Sequence, residues 1–156
     1  MKRQQGFTLI ELIIVIVVLG ILAVTAAPQF INFSSDARES TVKGAQASIQ
    51  GAMQLVYAKS LVEGNDSVAT GETVATENGD VDIAFGYPEA SDYAGAGIGL
   101  AAGLSSSEWV SDLAGTTPEE ISFSQGSTFN ATCSVTYTEA ADATTPATVS
   151  VDVSAC

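Results

Sequence analysis

The feature that most constrains this chain is an apolar stretch near its beginning, Phe7 to Ala27. Of its 21 residues only Thr8, Glu11 and Thr25 are polar. A helix of that length extends about 31 Å, which matches the roughly 30 Å thickness of a membrane hydrocarbon core. Because the stretch is apolar on all sides, it must be covered by lipid or by protein. It therefore predicts a membrane anchor or an assembly helix.

The residues around this stretch leave two simple interpretations incomplete. Lys2 and Arg3 precede it, which predicts a cytoplasmic N-terminus and export of the rest. A cleaved secretory signal peptide agrees with the basic start, but the apolar run is too long and carries Glu11 at its head. A plain signal anchor explains length and orientation but not Glu11, since a charge costs about 2.5 to 3.5 kcal/mol near the centre of a membrane segment.

Glu11 has two further interpretations. Thr8-Leu9-Ile10-Glu11 matches the Ser/Thr-x-x-Glu capping box, in which the acid satisfies a backbone donor at a helix start. The second interpretation begins with Gly6-Phe7-Thr8-Leu9-Ile10-Glu11-Leu12, which follows a short basic leader and precedes an apolar helix. This heptapeptide resembles the N-terminal signal of type IVa-like pilins and the related pseudopilins.

The resemblance implies a specific processing and assembly pathway. A prepilin peptidase in the membrane would cut after Gly6, releasing residues 1–6 as a leader, and methylate the new N-terminal residue, Phe7. The essential Glu of the family falls on Glu11, and Gly20 and Pro28 fall where the family's helix is commonly interrupted or bent. The implied partners are further copies of the chain and the inner-membrane pilus assembly machinery.

A physical argument gives Glu11 a role in that assembly. Removal of residues 1–6 creates an amine at Phe7, which lies about 6 Å along a helix from Glu11. In a staggered stack of copies, the carboxylate of one copy can meet the amine of a neighbour. A copy that enters out of step leaves a charge unpaired, at a cost of about 3 to 5 kcal/mol. We therefore expect the pair to act as a register check.

Residues 29–63 predict an amphipathic helix that continues the apolar segment 7–28. Its apolar residues recur at spacings of mostly three or four, which predicts one buried stripe. The stripe comprises Phe30, Phe33, Ala37, Val42, Ala45, Ile49, Ala52, Met53 and Val56. Glu63-Gly64-Asn65-Asp66 predicts the end of the helix.

Residues 64–156 predict a variable loop region followed by an antiparallel sheet. Glu77-Asn78-Gly79-Asp80 indicates a tight hairpin, followed by one strand from Val81 to Tyr87. Ser105 to Glu108 is expected to cap a short helix that carries Trp109. Later strands are predicted from apolar alternation at Ile121, Phe123, Phe129, Ala131, Cys133, Val135, Tyr137, Val149, Val151 and Val153. The predicted fold class is α+β: a long N-terminal α-helix packed on a C-terminal antiparallel β-sheet, as the resemblance also implies.

Two cysteines, Cys133 and Cys156, allow a single intrachain pairing. Because the body is expected outside the cytoplasm, a disulfide between them is predicted. A zinc site is not expected with no His and only two Cys, and neither another metal nor a cofactor is expected.

The charge distribution excludes several function classes. The net charge is −13, and the stretch from Ser60 to Cys156 holds 15 acidic residues without one Lys, Arg or His. Such a body is not expected to bind nucleic acid directly, because that binding depends on cations laid along phosphates. No Ser or Cys has an identifiable base, so no catalytic residues and no enzyme activity are predicted. The glycines from Gly95 to Gly99 lack the βαβ unit of a nucleotide site.

The absence of catalytic residues favours a structural protein, and the resemblance implies the repeating subunit of a type IV pilus with roles in surface attachment and biofilm formation. The precursor is expected in the inner membrane with a periplasmic head, and the assembled fibre outside the cell. Alternatives are a pseudopilin of a type II secretion system, which shares the N-terminal signal, and a minor tip pilin. Within the family, the stretch Gly20 to Phe30 with Asp36-Ala37-Arg38 resembles the pilins of mannose-sensitive haemagglutinin pili.

Overall fold

The computed structural model describes residues 8–156, without the side chains of residues 26–33. The chain divides into two compact units, with the boundary between Ala37 and Arg38. One helix, α1, spans Leu9–Glu63, and a short helix, α2, spans Ile98–Ala101. The strands are β1 Glu72–Thr76, β2 Gly79–Ala84, β3 Tyr87–Pro88, β4 Trp109–Ala114, β5 Glu120–Gln125, β6 Ser134–Thr138 and β7 Thr148–Asp152.

The strands form two antiparallel sheets within the second unit. One sheet has the order β1-β2-β3 and the other β4-β5-β6-β7, so within each sheet the strands pair in sequence order. The long helix and the C-terminal antiparallel sheet confirm the predicted α+β class. The predicted hairpin is confirmed as well, since Thr76 pairs with Gly79 across the two-residue loop of Glu77 and Asn78.

The part of α1 within the second unit contributes the predicted apolar stripe to the core. Val42, Ala45 and Ile49 are buried in the cluster formed with the four-stranded sheet. Two turns further along the helix, Val56 is buried in a separate cluster with residues of β1 and β2. Ala37 is exposed, and the side chains of Phe30 and Phe33 lie outside the described residues. The helix ends at Glu63, as predicted, where Gly64 adopts a φ of 80° and the Asn65 amide donates to the Ser60 carbonyl.

A buried tyrosine connects the two sheets. Tyr137 of β6 is fully buried, and its hydroxyl donates to the carbonyl oxygen of Pro88 in β3 at 2.6 Å. Buried polar groups need such partners, because an unmade hydrogen bond in the core costs about 1 to 3 kcal/mol. This bond therefore fixes the short strand β3 beside the larger sheet.

The prediction of a short helix carrying Trp109 is wrong. Residues 109–114 form strand β4, in which Trp109 pairs with Gln125 and Leu113 with Ile121 of β5. The serine-rich cap pattern is a local preference, and pairing with a neighbouring strand that buries Trp109 outweighs it.

The predicted strand from Val81 to Tyr87 is interrupted. Phe85 and Gly86 both have positive φ values, 51° and 83°, and turn the chain between β2 and β3. Gly86 is required there for space as well, since a Cβ would lie 2.7 Å from the Ser60 hydroxyl oxygen. The alternation predicted from Phe129 likewise overestimates the next strand, since β6 begins only at Ser134.

The glycine-rich segment folds back on its own backbone. A Cβ on Gly97 would lie 2.2 Å from the carbonyl oxygen of Glu89, and one on Gly99 2.6 Å from the backbone of Asp92. Close packing of two backbone segments therefore accounts for these glycines.

The family resemblance implies that the helix is interrupted or bent at Gly20 and Pro28. Helix α1 continues through both positions. Glycine weakens a helix by about 1 kcal/mol relative to alanine, and proline removes one hydrogen bond. A helix that runs from Leu9 to Glu63 tolerates both losses.

Candidate functional site

The start of α1 is held by a reciprocal capping arrangement between Thr8 and Glu11. The Thr8 amide and the Thr8 hydroxyl both donate to Glu11 Oε2 at 2.8 Å. In return, the Glu11 amide donates to Thr8 Oγ1 at 3.3 Å. This geometry confirms the capping box. The carboxylate thus has a local partner within its own chain.

The segment that follows the cap exposes its apolar side chains. Each large apolar residue from Leu9 to Val24 is at least 47% exposed. An exposed apolar surface of this extent marks an interaction surface, since soluble monomers rarely leave one uncovered. Among the residues that the structure describes, no helix is long and apolar enough to cross a membrane.

Thr25 is the third polar residue of the apolar stretch from Phe7 to Ala27, after Thr8 and Glu11. Its hydroxyl donates to the carbonyl oxygens of Ile21 at 3.3 Å and Leu22 at 3.0 Å. The hydroxyl is therefore satisfied within the helix, so Thr25 does not need water or a partner chain.

Several predicted site residues lie outside the described residues. These are Gly6 and Phe7, the predicted cleavage site, with Phe7 also the predicted methylation site. Within the predicted segment 7–28, Phe7 and the side chains of residues 26–28 also lie outside the described residues.

The predicted disulfide is confirmed. Cys133 and Cys156 are bonded with an S–S distance of 2.03 Å. The Ala155 amide also donates to the Thr132 carbonyl, so the segment after β7 lies against the segment before β6. Cys133 is buried in the main core, which anchors the bond.

An acidic group in the second unit was missed by the sequence reasoning. Glu89, Glu119 and Glu139 line an open cleft of about 440 Å³ together with Phe85 and Pro118. Burial raises the pKa of Glu89, and the carboxylates of Asp82, Glu139 and Glu119 raise it further. The sequence gives only a weak indication of this acidic cleft, because its acids lie far apart in the chain and meet where the two sheets come together.

The described residues contain no group of three or more His, Cys, Asp or Glu side chains arranged to hold a metal ion. Asp80 and Asp82 both lie on β2, with Asp80 exposed and Asp82 half-buried.

Comparison with known proteins agrees with the geometry of the N-terminal segment. Residues 1–27 match the model of the prokaryotic N-terminal methylation motif. This match covers the predicted leader, the capping pair and the exposed apolar segment.

Curated proteins extend the similarity beyond the motif. The chain is 44% identical over 50 residues to the type IV narrow pilus major component PilA5 of Thermus thermophilus, covering 32% of this chain and 43% of the relative. It is 31% identical over 103 residues to the type IV major fimbrial protein FimA of Dichelobacter nodosus, covering 57% and 65%. It is 39% identical over 54 residues to the type II secretion system core protein G of Pseudomonas aeruginosa, covering 35% and 38%.

The chain spans less than two thirds of the length of each of these relatives. No solved structure matches it. The family model, at residues 1–27, covers the segment that the structure shows as an exposed apolar helix.

Proposed function

We propose that this chain is a type IV pilin, the repeating subunit of a type IV pilus used for surface attachment and biofilm formation. One observation carries the proposal: within the methylation motif at residues 1–27, α1 exposes every large apolar side chain from Leu9 to Val24. In a polymer, copies of this surface cover one another, which removes roughly 25 cal/mol of cost per Å² of apolar area.

The proposed processing supplies the charged pair at the start of the helix. A prepilin peptidase cuts between Gly6 and Phe7 and methylates Phe7. The capping box positions the Glu11 carboxylate at the first turn of α1. After cleavage, that carboxylate can meet the new amine of a neighbouring copy and check the register of the stack.

The proposed locations follow from the order of these steps. Before assembly the precursor is held in the inner membrane by residues 7–28, with the head in the periplasm. The assembly machinery then transfers the apolar segment from lipid into the fibre outside the cell. The Cys133–Cys156 disulfide supports an oxidising, non-cytoplasmic location of the head. The motif from Gly20 to Phe30 supports the subgroup of mannose-sensitive haemagglutinin pilins.

The second candidate is a pseudopilin of a type II secretion system. The identity of 39% over 54 residues to core protein G supports it. The disulfide near the end of the sheet favours the pilin, since we expect major pseudopilins to lack it. A minor tip pilin would share the fold but contribute few copies to each fibre.

The test is the location of the chain. Cells that express it are sheared, and the chain is quantified in the released fibres and in the cell envelope. The pilus subunit is expected as the most abundant protein of the sheared fibres. A pseudopilin would stay with the envelope, and a tip pilin would be a trace component of the fibres. A Gly6→Glu variant, blocked at the cleavage site, is the matched control and should stay in the envelope.

A further inference from the structure

Opposite charges are segregated within the second unit. Residues 38–156 contain 16 acidic residues and three basic ones, and the basic residues, Arg38, Lys43 and Lys59, all lie on α1. The sheets and loops from residue 64 onward carry acids alone. Two such bodies repel each other at short range unless a cationic surface lies between them.

Two of the three basic side chains already have partners in their own chain. Lys43 pairs with Glu39 one turn earlier. Lys59 lies 3.8 Å from a carboxylate oxygen of Glu63 and donates to the carbonyl oxygen of Ala75. The charges of both lysines are thus partly neutralised within the chain, and Lys59 also stabilises the fold.

Arg38 differs from the two lysines. Its exposed side chain forms no ion pair with any residue that the structure describes. It lines an open cleft of about 640 Å³ at the end of the four-stranded sheet. The other lining residues are Ser107, Glu108, Gln125, Gly126, Ser127 and Thr128.

The chemistry of this cleft suits a carboxylate. A guanidinium binds a carboxylate through two parallel hydrogen bonds, and the serine, threonine and glutamine side chains offer further donors. Of the described lining residues, Arg38 is the one base and Glu108 the one acid, so an incoming carboxylate would pair with Arg38.

We propose that the exposed side of α1 at Arg38, with this cleft, is the surface on which a second copy of the chain docks through carboxylates of its residues 64–156. The inference rests on the proposed function, which brings identical heads side by side. The complementary surfaces lie on different parts of the same chain, so the contact is heterologous. Contacts of that type, repeated, build open helical filaments.

Charge complementarity also selects this occupant over a copy docked in another register. Sheet against sheet would place acids against acids, which costs several kcal/mol in a close contact. Arg38 against the sheet side is the arrangement that relieves this repulsion, so the contact adds specificity to the apolar packing of the N-terminal segments.

The first test compares filament yields from cells that express single variants. Arg38→Gln is expected to lower the yield of sheared filaments about fivefold, and Arg38→Lys to lower it less, because lysine keeps the charge but not the paired hydrogen bonds. The matched control is Lys43→Gln, which removes the same charge from the same helix and should leave the yield within twofold of wild type. Equal yields for Arg38→Gln and wild type would overturn the proposal.

The second test identifies the partner surface directly. A photo-reactive benzoylphenylalanine at Ser127, beside an intact Arg38, is cross-linked in assembled filaments and the linked peptides are sequenced. Cross-links to residues 64–156 of another copy are expected. Cross-links confined to the α1 of another copy, or none in filaments that form normally, would overturn the docking surface alone. Absence of wild-type chain from sheared fibres would instead overturn the proposed function.

Discussion

At the scale of single residues, Glu11 has two roles that the structure allows one to separate. Its carboxylate accepts two hydrogen bonds from Thr8, which accounts for a charge at the head of an apolar helix without any partner chain. The proposed register check uses the negative charge itself, whereas the cap needs only an acceptor oxygen. A substitution that keeps the acceptor and removes the charge therefore distinguishes the two roles.

Glu11→Gln is expected to leave α1 capped and the precursor in the membrane, but to abolish filament assembly. Glu11→Val should abolish filament assembly as well. The amide oxygen of Gln can still accept from Thr8, while neither variant can pair with the amine of a neighbouring copy. Membrane fractions and sheared fibres are compared by quantitative immunoblot. Normal fibres from Glu11→Gln would leave the cap as the sole role of Glu11.

Gly86 is a residue where backbone conformation and packing coincide. Gly86→Ala would place a Cβ 3.0 Å from Tyr57 Cδ2 and 2.7 Å from Ser60 Oγ, at a φ of 83°. We expect the free energy of unfolding to fall by about 2 to 4 kcal/mol. Fluorescence of the single, buried Trp109 during thermal unfolding of the full chain in detergent measures this.

The matched control for Gly86 is Gly51→Ala, on the exposed side of α1. A Cβ there meets nothing within 4 Å, and alanine favours the helix, so stability should rise by about 0.5 to 1 kcal/mol. If both variants moved the midpoint equally, the close contacts at Gly86 would not explain its effect.

At the scale of elements, the meeting point of the two sheets concentrates acids. The pKa of Glu89 is raised above its usual value by burial and by Asp82, Glu139 and Glu119, while the Glu139 carboxylate accepts from the Ala90 amide. A raised folded pKa of an acid means that its ionisation destabilises the fold. That penalty is present above the folded pKa and disappears as the pH falls through it.

Glu89→Gln is therefore expected to raise the unfolding midpoint at pH 7 and to reduce the gain in stability that wild type shows on mild acidification. Asp112→Asn, which removes one exposed charge from β4, is the control for net charge. Midpoints are measured by Trp109 fluorescence between neutral pH and the usual carboxyl range. An unchanged or lower midpoint for Glu89→Gln at pH 7 would contradict the account.

Elements with strong local patterns were predictable from the sequence, and those that depend on distant partners were not. The end of α1 and the hairpin at Glu77-Asn78-Gly79-Asp80 follow from short-range chemistry, and both are confirmed. Strand β4 was mistaken for a helix because its serine-rich start caps helices, whereas its conformation depends on pairing with β5. The apolar alternation from Val81 to Tyr87 continues through the Phe85-Gly86 turn, so Gly86 was the one sequence signal of that turn.

At the scale of the whole molecule, the same separation applies to function. The N-terminal motif and its capping pair are local, and the sequence predicted them in detail. The acidic cleft at Glu89 and the cleft at Arg38 join residues far apart in the chain, and only the fold shows them. Pairing of the cysteines was predictable because two of them allow one bond.

The proposed life of the chain has two states of one surface. In the proposed function, lipid covers the apolar segment of α1 in the precursor and other copies cover it in the fibre, while the anionic head stays outside the cytoplasm in both. Cleavage at Gly6 connects the two states, because it creates the amine that Glu11 is proposed to meet. The covalent form of the chain in the fibre therefore tests the central claim.

The decisive measurement is the intact mass of the subunit in sheared fibres, with and without reduction. We predict residues 7–156 carrying one added methyl group, with two hydrogen atoms fewer than the reduced chain because of the Cys133–Cys156 bond. A chain that keeps residues 1–6 and is found only in the cell envelope would contradict the account and would favour a plain signal anchor instead.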